Sequence, residues 1–146
     1  MNREEAIKLL ALIKVAYPTA YKDMDSASKQ ATVNMWHSTF ADMPYPIMEM
    51  AFNHFRLKSK FPPTVAEMAE ELKGLYYEAL QGAMYAKSFG TAEDLICCQR
   101  IMQYTNTYKS GEYLNNSVMN AIGMLGSEGI PALEESKGLP ALEGST

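Results

Sequence analysis

From Glu4 to Tyr17 the apolar residues Ala6, Leu9, Leu10, Ile13 and Tyr17 recur at steps of three and four, with Glu5, Lys8 and Lys14 between them. Steps of that size line up on one face of a helix, so the pattern predicts an amphipathic helix over 4–17, ended by Pro18. Glu4 and Glu5 fall in its first turn, where the positive end of the helix dipole favours carboxylates. A loop over 19–26 leads to a second predicted helix, 27–40, with Val33, Trp36 and Phe40 on one stripe and Thr32 and Met35 flanking it. Met43-Pro44-Tyr45-Pro46 punctuates the chain again, and Pro46 suits the first turn of a third helix, where a missing amide proton costs little. Ile47, Met50, Ala51, His54 and Phe55 form its expected inward stripe.

The corner Lys60-Phe61-Pro62-Pro63-Thr64 stops that helix, because neither proline donates a backbone hydrogen bond and each pushes its predecessor toward extended backbone. Phe61 is expected to fill the gap between the helices on either side. Thr64 and Glu67 have the spacing of a capping box, which starts a fourth helix from Val65 to about Ala86. Its inward residues are Val65, Met68, Ala69, Leu72, Leu75, Tyr76, Ala79 and Ala83, and Gly74 and Gly82 are expected to loosen it. Gly90 and Thr91 mark a break and a new cap. A fifth helix follows over 92–104, with Leu95, Cys98, Ile101 and Met102 apolar, and a sixth over 112–125, carrying Leu114, Val118, Ala121, Ile122 and Leu125. Strand and hairpin patterns are absent. The expected fold is all-α: a small helical bundle with a flexible C-terminal tail, organised as an N-terminal helical module (1–90), further helices (91–125) and an acidic tail (126–146).

That tail differs in kind. Gly129-Ile130-Pro131-Ala132-Leu133-Glu134 is echoed nine residues later by Gly138-Leu139-Pro140-Ala141-Leu142-Glu143. A segment so rich in Gly, Pro and Glu cannot build a core of its own. Either it is a linker, or Ile130, Leu133, Leu139 and Leu142, beside Glu134 and Glu143, are apolar hooks that order on a partner. A solvating tail has no need of four large aliphatic residues, which favours hooks.

Charge sharpens the contrast. The net value of −4 disfavours wrapping of duplex DNA, and it is uneven: +2 over residues 1–60, −2 over 61–90 and −4 over 91–146. Arg56, Lys58 and Lys60 are the local exception. They suit the negative end of the third helix, or, with Phe55 and Phe61, a small nucleic-acid patch; the lack of further Lys or Arg nearby favours the dipole.

Chemistry is sparse. His37 and His54 are the only histidines and sit in no metal-ligand pattern, and no glycine-rich phosphate loop precedes a helix. Glu67, Glu70, Glu71 and Glu78 spread around the fourth helix as a solvated face does. Neither catalysis nor a cofactor or metal is expected. Cys97 and Cys98 are adjacent, which is poor geometry for a structural disulfide and points to a reducing, cytoplasmic setting. No apolar run reaches membrane-spanning length, and the charged start of the chain does not open into a secretory apolar region. Eleven methionines include Met35, Met43, Met48 and Met50 near one corner, as core filling or as an adaptable docking face.

Taken in order, Glu5-Ala6-Ile7-Lys8-Leu9-Leu10-Ala11-Leu12-Ile13 with Ala16-Tyr17-Pro18, then Trp36-His37, Asp42-Met43-Pro44-Tyr45 and Lys60-Phe61-Pro62-Pro63-Thr64-Val65-Ala66-Glu67 resemble the small phage helicase loader/inhibitor proteins, over about residues 4–78. The resemblance implies a phage DNA-replication accessory protein. Such a protein binds the hexameric replicative helicase, restrains it and helps deliver it to an origin marked by an initiator, without hydrolysing ATP. It also implies a compact helical N-terminal module and a flexible C-terminal helicase-contacting part, here the region after about Gly90 and the paired hooks. The two further helical stretches before the tail depart from that pattern. Rival readings are a DNA-binding replisome organiser using Arg56, Lys58 and Lys60, and a phage antagonist of a host protein.

Overall fold

A computed structural model describes residues 1–111, and structural statements below concern these residues. They fold as α1 (Arg3–Ala16), α2 (Ser26–Thr39), α3 (Tyr45–Arg56), α4 (Val65–Ser88) and α5 (Ala92–Thr105), followed by a 3-10 turn, Asn106–Tyr108. No strand occurs among them, as expected. The predicted sixth helix lies outside the described residues.

Local chemistry starts four of the five helices. Asn2 and Glu5 form a capping box at α1, Thr64 and Glu67 at α4, and Thr91 and Asp94 at α5, each pairing a side-chain oxygen with the amide three residues on and a carboxylate with the cap amide. Asp25 caps α2 by accepting from the Ser28 amide at 2.7 Å. Hydrogen bonds from the Ser28 and Thr91 amides hold the Asp25 and Asp94 carboxyls below their ordinary pKa, because each bond favours the charged form. At α3 the cap position is Pro44, with Pro46 in the first turn.

The core lies where α1 meets α2 and α3 and where α3 meets the N-terminal half of α4. Leu9, Ile13, Phe40, Met48, Phe52, Met68 and Leu72 are fully buried in it. Tyr17 meets Phe52 edge-on at 6.4 Å, and Trp36 packs on Phe40 at 5.8 Å. Tyr108 of the 3-10 turn stacks on Phe40 as well, at 6.5 Å, and the Tyr77 hydroxyl donates to the Lys109 carbonyl. The end of α5 is thereby fastened back to the bundle, and Met1–Ser110 forms one compact unit.

Three expectations are corrected here. Phe61 is 76% exposed and fills no gap; the prolines carry the chain across the corner, where Pro63 is buried instead. The inward stripe of α3 is Ile47, Met48, Ala51, Phe52 and Phe55, whereas Met50 and His54 face outward. Packing against both α1 and α4 turns the helix by about one residue from the stripe that periodicity alone suggests. Finally, α4 runs unbroken through both glycines. A Cβ on Gly82 would meet the Cys98 Sγ at 2.8 Å, so this glycine marks a close approach of α5 to α4, while Gly74 has nothing within 4 Å. Gly74→Ala is therefore expected to raise stability by about 1 kcal/mol, as a higher urea midpoint at unchanged slope. Gly82→Ala should gain less, since the Cys98 thiol must turn aside.

Candidate interaction surfaces

The motif residues behind the resemblance turn out to be joints of the fold. Tyr17, at the end of α1, donates its hydroxyl to the Ser59 carbonyl at 2.9 Å, so the Tyr-Pro terminus is tied to the Phe-Pro-Pro-Thr corner. Trp36 is the anchor by which α2 enters the core, and Pro44-Tyr45 launches α3 with the tyrosine buried. The spacing of these motifs thus encodes how the first four helices meet.

Beside that corner sits the most polar cluster of the unit. Glu71 is only 8% exposed, yet its two oxygens are both engaged: Oε1 lies 2.9 Å from His54 Nδ1 and Oε2 lies 2.7 Å from Lys58 Nζ. A buried carboxylate is tolerated because both acceptors face charged or polar partners. Sequence reasoning placed Glu71 on a solvated face, which the structure corrects. The signal was present in its register, three residues after Met68 and four before Leu75, both buried. His54 and Lys58 are half exposed, so water recovers them when the carboxylate is removed. Glu71→Ala is accordingly expected to cost about 1–2 kcal/mol in urea unfolding near neutral pH, below the loss seen when a fully buried pair is broken.

The same pairing bears on the basic triplet. Arg56, Lys58 and Lys60 are all exposed, but Lys58 is neutralised by Glu71, and Arg56 donates to the Asn53 side chain at 3.0 Å. The methionine corner also divides: Met43 and Met48 are buried core, and Met35 and Met50 are exposed. At the far end of the α4–α5 pair, Met84, Tyr85, Phe89 and Ile96 are exposed apolar residues that periodicity did not single out. The six tail residues expected as contacts, Ile130, Leu133, Glu134, Leu139, Leu142 and Glu143, lie outside the described residues.

No group of three or more His, Cys, Asp or Glu placed to hold a metal occurs among the described residues, and no helix there is long and apolar enough to cross a membrane. What these residues do present is surface: polar joints, an apolar helical tip and a groove between α1 and α2. The class is that of a small all-helical module whose distinguishing features are faces for contact. Residues 1–69 match the family model for the N-terminal domain of the gp39-type proteins, which places this part of the chain in the phage helicase loader/inhibitor family and implies a phage helicase-associated replication protein. No curated protein and no solved structure matched the chain.

Proposed function

We propose that the protein is a non-enzymatic phage replication accessory that binds the hexameric replicative helicase, restrains it and helps load it at an origin marked by an initiator protein. The match of residues 1–69 to the gp39-type N-terminal domain carries this reading. Charge supports the division of labour, since residues 91–146 hold the −4 of the chain and end in the paired Pro-Ala-Leu-Glu segments. In this reading the helical unit is a rigid holder, and Ile130, Leu133, Leu139 and Leu142, with Glu134 and Glu143, make the helicase contact.

The test is to mix the protein with phage and host replicative helicases, with and without ATP, and to weigh the complexes by light scattering. A stable complex with a helicase ring, altered by nucleotide, is the expected result. A protein that leaves every ring at its own mass under both conditions ends the proposal.

A further inference from the structure

A groove enclosing about 570 Å³ runs between α1 and α2 and is bounded by the loop that joins them. Its lining is of two kinds. Ile7, Leu10 and Ala11 of α1, Met24 of the loop and Val33 of α2 supply aliphatic surface, and Ile7 is 47% exposed despite belonging to the helix that carries much of the core. Arg3, Lys14, Lys22 and Lys29 supply cations, against Asp23 as the one carboxylate in the lining.

The walls are already set. Arg3 bridges to α2 by donating to the Gln30 and Asn34 side chains, and Lys14 donates to the Ala20 carbonyl at 3.0 Å. Tyr21 and Asp23 hold left-handed backbone, with φ of 60° and 64°, a conformation that non-glycine residues keep only where their surroundings enforce it. None of these features is used by the tail contact proposed above.

We propose that this groove docks an acidic amphipathic helix of a partner protein, its aliphatic stripe on the groove floor and its carboxylates against Arg3, Lys14, Lys22 and Lys29. Helices laid into apolar grooves are a recurrent mode of recognition, and a cationic border selects carboxylates on the incoming helix. A nucleic-acid strand would use the cations but leave the aliphatic floor unmatched, and a wholly apolar ligand would leave the cations unmatched. The inference stands apart from the tail assignment, because a chain ending at Gly111 keeps the whole groove.

The probe is a fluorescein-labelled helical peptide with leucine on one stripe and glutamate elsewhere, titrated with the full chain and read by anisotropy. The comparison probes are the same peptide with lysine in place of glutamate, and a single-stranded oligonucleotide. The acidic peptide should bind, and added salt should weaken it. Lys22→Glu with Lys29→Glu should lower its affinity about tenfold or more with circular dichroism unchanged, since both side chains are exposed. Ile7→Ser should weaken it separately through the floor. The proposal is overturned if the acidic peptide does not bind, if its lysine counterpart binds equally, or if neither variant changes affinity. It is likewise overturned if the oligonucleotide is preferred, or if the wild-type chain doubles in mass on its own while Ile7→Ser stays single, which would give the groove to a second copy.

Discussion

Truncation after Gly111 is expected to abolish capture of the replicative helicase while the helical unit stays folded. The cut leaves Met1–Ser110 intact, including the Tyr108–Phe40 stack and the Tyr77–Lys109 hydrogen bond that fasten the end of α5. It removes all four aliphatic hooks. Burying one such side chain on a partner contributes about 1.5–3 kcal/mol. Ordering the segment takes back about 2–5 kcal/mol of the total, so several kcal/mol remain, and each 1.4 kcal/mol is a factor of about ten in affinity. Deleting 126–146, or replacing Ile130, Leu133, Leu139 and Leu142 together with alanine, should therefore weaken the complex by about a hundredfold or more. Thermal unfolding of the 1–111 chain should stay close to that of the full protein. Wild-type affinity in the truncated chain would remove the tail from the mechanism. A shorter cut at Gly90 does not ask the same question, because it strips α5 from α4 and uncovers the face around Gly82, Ala83 and Ala86.

The second large effect is expected at Trp36, which is 2% exposed and is the anchor of an otherwise shallow helix. Trp36→Ala should cost about 3–5 kcal/mol, through lost apolar burial and the cavity left beside Phe40. Domains of this size are stable by only about 5–15 kcal/mol, so the variant should unfold at far lower urea. Circular dichroism is the readout, since the substitution removes the sole tryptophan fluorophore. Phe61→Ala is the companion measurement. A large aromatic is deleted there too, but from solvent, and a change within about 0.5 kcal/mol is expected. Similar losses at the two positions would contradict the packing described for both.

Helix number and punctuation through Thr105 were legible because their causes are local. A proline removes a donor wherever it stands, and Thr64 with Glu67, or Thr91 with its neighbour Asp94, satisfies amides within one turn. The rotation of α3 was not legible, since a stripe of Ile47, Met50 and Phe55 is as periodic as one of Met48, Phe52 and Phe55. The presence of two neighbouring helices decides between them. Glu71 was misplaced for a related reason: its charge suggested water, and its two partners come from across the corner, His54 in α3 and Lys58 just beyond it. The α1–α2 groove left no mark in periodicity at all, because Ile7 and the cations around it are brought together from two helices and the loop between them.

By itself, then, the order of apolar, polar and cyclic residues determined that this protein is helical, where its helices begin and end, that Trp36 anchors the second of them, and which family its first half resembles. Only the tertiary structure decided that Phe61 lies outside and Phe52 inside, that Gly82 marks a close helix crossing, and that Lys58 is spent on Glu71 while Arg3, Lys14, Lys22 and Lys29 gather around an aliphatic floor. The division has one physical reason. Capping, turn formation and periodicity act within a few residues, whereas burial and charge pairing depend on which distant surfaces the packed helices bring together.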